Sequence, residues 1–160
     1  MDCCSRVSVW WWIKVTLSLS LMTQGILVLG LGWGSAAFFH PQFWAPLWLG
    51  QGVVLFGAFF CAAHYGILKS RAGDLSRPET LVTRGGAFPW IRHPMYLGDF
   101  TVIVGLALFC PSGFSAGAVL LAAFALFRLA RLEDRQMAER FLEPYSEWSR
   151  STRMLIPFLL

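Results

Sequence analysis

The chain has 160 residues, of which 56% are hydrophobic and only 14% charged, with 8 Trp and 14 Phe. A soluble domain carries about 45–50% apolar and about 25% charged residues, so these proportions exclude a disordered or fibrous chain and point away from a soluble one. The formal charge of +4 matters through its distribution, and the four cysteines (Cys3, Cys4, Cys61, Cys110) form no CxxC pair and no disulfide framework.

Four apolar stretches follow one another. The first covers about 13–33 and the second about 46–68. Each is long enough for a helix crossing roughly 30 Å of hydrocarbon, which takes about 20 residues. The first is too long for a cleaved leader and lacks a small-residue cleavage site, so an anchored first span is expected. The third (95–110) and fourth (114–129) are shorter and separated by Pro111, Ser112 and Gly113, a gap that predicts a tight helical hairpin. The fourth helix is expected to run on beyond its apolar part as a polar extension.

The basic residues orient these spans. Arg6 and Lys14 precede or begin the first. Lys69, Arg71, Arg77, Arg84 and Arg92 lie between the second and third. Arg128, Arg131, Arg135, Arg140, Arg150 and Arg153 end or follow the fourth. No Lys or Arg falls in 34–45 or 111–113, so four spans with both termini in the cytosol satisfy the positive-inside rule. Trp10, Trp11 and Trp12 at the inner edge, and Trp33, Trp44 and Trp48 near the outer edge, suit headgroup depth. The expected fold is an all-α integral membrane bundle of four transmembrane helices, a single multi-pass domain over 1–160. Small residues at four-residue spacing (Gly30 and Gly34; Ala58, Ala62 and Gly66; Gly113 and Gly117) are read as helix-packing rows.

Two polar stretches, 69–94 and 130–157, stand out from this background. The first contains Thr80-Leu81-Val82-Thr83, Arg84, Gly85, Gly86 and then Trp90-Ile91-Arg92-His93-Pro94-Met95-Tyr96-Leu97-Gly98. Pro94 suits the first turn of a helix, where no N–H partner is needed. That puts Arg92 and His93 at the helix mouth, where free N–H groups and the positive dipole end favour an anion. In the second stretch Leu129, Glu133, Met137 and Phe141 recur every four residues and share a face. Glu133 therefore sits on an apolar, inward stripe, where an acid needs a partner; Arg92 and Arg128 are candidates. Arg131, Arg135, Glu139 and Glu143 form a separate, solvated row. Asp99, one turn into the third helix, and His64, near the inner end of the second, are further candidates, each with a plain structural reading beside the chemical one.

The segment TLVTRGGAFPWIRHPMYLG (80–98), followed by Glu133-Asp134 and by Phe141, Tyr145, Trp148 and Ile156-Pro157-Phe158, resembles the isoprenylcysteine carboxyl methyltransferases. These belong to a wider group of membrane methyltransferases that includes the phospholipid N-methyltransferases. The resemblance covers about 79–158. It implies an S-adenosylmethionine site at the cytosolic membrane edge, with cofactor contacts at Thr80, Leu81, Val82, Phe88, His93, Pro94, Met95, Tyr96 and Glu133. Asp134 is expected to share these contacts, Glu133 to bind the cofactor's amino or ribose groups, and Arg92 or Arg128 to orient the acceptor anion at the reacting centre. The chain departs from the family pattern at several places. One extra residue lies between Thr83 and Arg92; Phe88 stands where Tyr is frequent. The second acid is Asp134 rather than Glu, and Leu142 replaces the usual Gly after Phe141. Leu129 occupies the position of a substrate-binding Arg.

The resemblance implies methylation of a lipophilic acceptor, with carboxyl O-methylation of an isoprenylcysteine-like substrate as the first reading. Such an acceptor is ionised at neutral pH and needs no general base. N-methylation of a phospholipid amine, which would need a base such as Asp99, His64 or His93, and S-methylation of a small thiol stay open. So does a non-enzymatic assembly subunit or carrier. Membrane lipid is an expected partner; neither a metal nor a nucleic acid is.

Overall fold

A computed structural model describes residues 9, 12–13, 15–23, 47–73, 78–109 and 112–155. Most of the first expected span, the Gly30 and Gly34 pair, the turn at 110–111 and Ile156-Pro157-Phe158 lie outside the described residues. The architecture is all-α, built from α1 (15–23), α2 (Leu47–Ala72), α3 (Pro94–Phe109) and α4 (Gly113–Ser151). Two of these, α2 and α4, are long and apolar enough to cross a membrane; α3 is apolar over 16 residues.

The helix ends follow local chemistry. Pro94 is the first residue of α3, where its fixed φ is suited and its missing N–H costs nothing. Ser112 caps α4: its hydroxyl accepts from the Ser115 N–H at 3.1 Å. The polar sequence after Leu129 continues α4 without a break as far as Leu142.

Helices α2 and α3 pack backbone to backbone. A methyl group on Gly57 would lie 2.9 Å from the Gly98 carbonyl oxygen, and one on Gly105 would lie 2.8 Å from the Val54 nitrogen. The contact glycines are thus Gly57 on α2 and Gly98 and Gly105 on α3, the latter pair seven residues apart. Among the described residues the other rows make no such contact: Ala58, Ala62 and Gly66 are exposed, and Gly66, Gly113 and Gly117 have open space where a Cβ would go, while Gly30 and Gly34 lie outside the described residues. Gly50 of α2, seven residues before Gly57, meets the Gly105 carbonyl in the same contact, 3.3 Å from where its Cβ would lie. Ile103 of α3 meets Ala118 and Ala122 of α4 and Leu21 of α1 in the buried core. The exposed face of α2 carries Leu55, Phe56 and Phe59.

At Leu142 the backbone of α4 turns sharply, with φ 48° and ψ −119°. Only glycine occupies that region without strain, and a side chain there costs about 1–3 kcal/mol. Leu142 stands where the resembling family has glycine. Its side chain is 69% exposed, so removing it empties no core. Leu142→Gly is therefore expected to stabilise the protein by about 1 kcal/mol after the added freedom of the unfolded chain is deducted. A raised thermal midpoint in detergent would show it; an unchanged or lower one would deny the strain.

Candidate functional site

The bend at Leu142 returns the end of α4 toward the start of α3. Past it, the chain forms a short parallel pairing: Arg92 N–H donates to the Arg153 carbonyl at 2.8 Å, His93 N–H to the Met154 carbonyl at 3.1 Å, and Arg153 N–H to the Trp90 carbonyl at 2.9 Å. These bonds satisfy the N–H groups just ahead of α3 and bring Tyr145 and Trp148 over the same spot.

The loop 78–93 is held from the other side by α2. The Thr80 hydroxyl donates to the Arg71 carbonyl, and Arg71 reaches the Arg84 carbonyl at 2.7 Å. His64 is fully used. Its Nε2 accepts from the Ala87 N–H at 2.9 Å, so its proton sits on Nδ1, which donates to the Phe60 carbonyl at 2.7 Å. Gly86 has φ 53°, and a Cβ there would lie 2.5 Å from His64 Nε2. His64 and Gly86 together fasten the loop that presents Phe88. Both ring nitrogens of His64 are thus engaged by backbone groups.

Between these parts lies a cavity of about 210 Å³. Thr80, Leu81, Val82, Phe88, His93, Pro94, Met95, Tyr96 and Glu133 all line it, as do Arg92, Met137 and Phe141. Three members of the inward stripe on α4, Glu133, Met137 and Phe141, thus line it, and Leu129 is buried beyond it. Asp134 is not in the lining but binds three residues that are. Arg128 is exposed and does not line the cavity, because it lies off the Leu129–Glu133 stripe. Asp99 also lies outside the lining; the Cys61 thiol approaches its Oδ1 at 3.6 Å in the α2–α3 contact.

The acidic pair divides its work. Asp134 receives His93 Nε2 at 2.7 Å, Arg92 Nε at 3.3 Å, Arg92 Nη2 at 3.1 Å and the Tyr145 hydroxyl. Glu133 takes His93 Nδ1 at 3.4 Å and a hydrogen bond from Tyr96, and keeps 36% of its side chain accessible. The partners that hold Glu133 are thus His93 and Tyr96, while Arg92 goes to Asp134. Arg92 also donates from Nη1 to the carbonyls of Ser149 (2.9 Å) and Thr152 (2.8 Å), so four of its five N–H donors are committed. It works as a clamp between the head of α3, Asp134 and the returning C-terminal segment.

Charge follows geometry. Burial on its own would lower the His93 pKa, but the hydrogen bonds with Asp134 and Glu133 outweigh it and raise the value to about 9. Burial would raise both carboxylates, yet His93 holds Glu133 below its ordinary value and Asp134 far below the usual carboxylate range. Burial, then Asp134, pushes the Tyr145 hydroxyl up, so it stays a donor. His93 is therefore an imidazolium with both N–H groups occupied. A histidine in the unfolded chain titrates near about 6.5. The stabilisation from His93 is complete below that pH and is lost as pH rises through about 9. The thermal midpoint is expected to fall between pH 6.5 and 9, and the slope to vanish in His93→Gln; equal slopes in both proteins would refute the locked imidazolium.

Comparison with known families finds the phospholipid methyltransferase family over residues 45–143. The chain belongs to that family, within the group of membrane methyltransferases that also holds the isoprenylcysteine enzymes. The match takes in α2, the loop, α3 and α4 as far as the bend, the parts that build most of the cavity. With α2 and α4 apolar and long, family membership makes this methyltransferase relative a membrane protein. Two proteins are also similar to it: the cobalt-zinc-cadmium resistance protein CzcN of Cupriavidus metallidurans, 34% identical over 113 residues (69% of this chain, 47% of the relative), and the nickel-cobalt-cadmium resistance protein NccN of Alcaligenes xylosoxydans, 29% identical over 129 residues (75% of this chain, 56% of the relative). The chain spans about half the length of these relatives. No solved structure matches it significantly. Among the described residues no cluster of His, Cys, Asp or Glu is arranged to hold a metal ion.

Tyr145 and Trp148 entered the sequence reading only through the family resemblance, with no site role. Their signal was the bend: once Leu142 turns the chain, residues 145 and 148, three apart on the next helical turn, both face the cavity.

Proposed function

We propose that this family member transfers a methyl group from S-adenosylmethionine to a lipophilic acceptor at the membrane, the acceptor atom being a carboxylate as in an isoprenylcysteine. The observation behind this is the mixed lining of one cavity. It offers Glu133, an ionised carboxylate held by His93 and Tyr96, together with apolar walls from Val82, Phe88 and Trp148. That donor set fits a ligand with a cationic amino acid end and a flat heteroaromatic end. When bound, S-adenosylmethionine supplies an electrophilic methyl group on a sulfonium.

The rest is done by the chain's own residues. Glu133 attracts the ligand's positive groups. His93 and Tyr96 hold the Glu133 carboxylate in place, and Asp134 holds His93. This ordering puts alignment before the reaction, where it is worth about 7–11 kcal/mol. Both ring nitrogens of His93 donate, and those of His64 are occupied. Neither histidine accepts a proton, which favours an acceptor that arrives ionised. With Arg92 committed to the clamp and Arg128 outside the lining, orientation of the acceptor falls to the fit of its lipid part between helices. Four spans with both termini cytosolic would place the cavity at the inner membrane surface, where such a tail stays in hydrocarbon. N-methylation of a lipid amine is the second reading, favoured by the family's own description.

The test uses the purified chain in lipid nanodiscs with a methyl-labelled donor, offered a farnesylated cysteine analogue and total phospholipid. Label on the analogue, released by base as methanol, supports the carboxylate reading. Base-stable label on phospholipid replaces it with the amine reading. No transfer to either, with no saturable donor binding, removes both.

A further inference from the structure

One polar atom at this cavity is left over. The Trp148 indole nitrogen is buried, and no acceptor among the described residues takes its proton. A buried indole N–H normally finds a partner, and leaving it without one is unfavourable. The neighbouring polar groups do not share this fate: His93, Arg92, Asp134 and Tyr145 are all bonded. An orphan donor in an otherwise satisfied site marks a place where a ligand completes the bonding.

The surroundings limit what that ligand group is. Trp148 lines the cavity and packs with Ala72, Val82 and Phe88, and its ring meets Tyr145 edge-on at 5.8 Å between centroids. Leu68 belongs to the same apolar cluster. Glu133 and His93 line the same cavity but are not among the residues packed against Trp148 in this cluster, and they already bond each other. A charged acceptor would be poorly solvated among such apolar walls. A neutral acceptor embedded in a flat apolar ring is what remains, and a ring nitrogen of a purine meets both conditions.

We propose that Trp148 is a specificity-determining residue that donates its indole N–H to a ring nitrogen of the adenine base of the methyl donor. Phe88 and Val82 enclose the base beside it. The assignment rests on the methyl-donor reading above and adds the part of that ligand which the chain selects. It also gives Leu142 a consequence, since the bend there is what delivers Trp148 to the cavity.

The experiment is calorimetric titration of the full chain in nanodiscs with S-adenosylhomocysteine and its 1-deaza, 3-deaza and 7-deaza adenine analogues. Wild type is expected to bind one of the deaza analogues about tenfold more weakly than the parent, the effect of one lost hydrogen bond at a buried donor. Trp148→Phe keeps the ring and removes the donor. It should bind the parent about tenfold more weakly and lose nothing further with that same analogue. Equal binding of all analogues by wild type overturns the assignment while leaving the methyl-donor reading intact, and this arm needs no folded variant. Equal affinity of Trp148→Phe and wild type for the parent also overturns it. Absence of any S-adenosylhomocysteine binding by wild type is a different failure, because it removes the methyl-donor reading itself.

Discussion

Asp134→Asn is expected to lose about 3 kcal/mol of stability and to release the C-terminal segment, whereas Glu133→Gln, one residue away, keeps its fold and loses the ligand. The contrast follows from what each acid touches. The Asp134 carboxylate anchors Arg92 through two N–H bonds, His93 Nε2 and the Tyr145 hydroxyl. Its side chain is 19% exposed and that of Arg92 14%. Removing one partner of a buried ion pair strands the other charge, at about 3–5 kcal/mol; residual exposure places this case at the lower end. The amide also withdraws one of the two carboxylates that raise His93. The fall in thermal midpoint between pH 6.5 and 9 should therefore flatten along with the overall loss.

Among the described residues Glu133 is bound by His93 and Tyr96, and part of its surface faces the cavity. Glutamine keeps the size and the hydrogen bonding, so the midpoint should move by less than about 1 kcal/mol. The charge is what a cationic ligand requires, and a charge-assisted hydrogen bond contributes about 1.5–3 kcal/mol. Affinity for S-adenosylmethionine should drop at least about tenfold. Calorimetry and thermal melts on both variants decide the matter. An Asp134→Asn protein as stable as wild type removes the latch, and a Glu133→Gln protein that binds normally removes the ligand contact.

Much of the site was readable because periodicity and local chemistry carry it. The recurrence of Leu129, Glu133, Met137 and Phe141 needs only 3.6 residues per turn; Glu133, Met137 and Phe141 do line the cavity, and Leu129 is buried outside it. Pro94 announced the start of α3, and with it the place of His93. What escaped depends on contacts between distant segments. The two acids look equivalent in sequence; only packing sends one toward the cavity and the other to the clamp. Arg92 looks like a free cation until the returning chain supplies the Ser149 and Thr152 carbonyls. That return hangs on the backbone angles of Leu142, a residue whose type gives no sign of a turn. His64 looks like a candidate base in the sequence until the Ala87 N–H is seen against its ring.

Gly57→Ala and Gly105→Ala are expected to destabilise by about 2–3 kcal/mol each, while Gly66→Ala and Gly117→Ala are neutral or stabilising by up to about 1 kcal/mol. The same chemical change has opposite signs because the space differs. A methyl on Gly57 would approach the Val102 nitrogen to 2.8 Å, and one on Gly105 would approach the Val54 nitrogen to 2.8 Å. Those are backbone atoms, so no rotamer relieves the clash; α2 and α3 must part, which is the overpacking penalty in its stiffer form. At Gly66 and Gly117 nothing described lies within 4 Å, and alanine gains helix propensity of about 0.8–1.0 kcal/mol over glycine. Parting α2 from α3 also moves the head of α3, and with it His93, away from Glu133 and away from the loop that His64 pins. Gly57→Ala should therefore weaken methyl-donor binding as well as lower the midpoint, although Gly57 does not line the cavity. Midpoints measured on all four variants in one detergent test this directly. If Gly66→Ala and Gly117→Ala lose as much as the other two, the four-residue rows are the packing faces and the seam through Gly57, Gly98 and Gly105 is not.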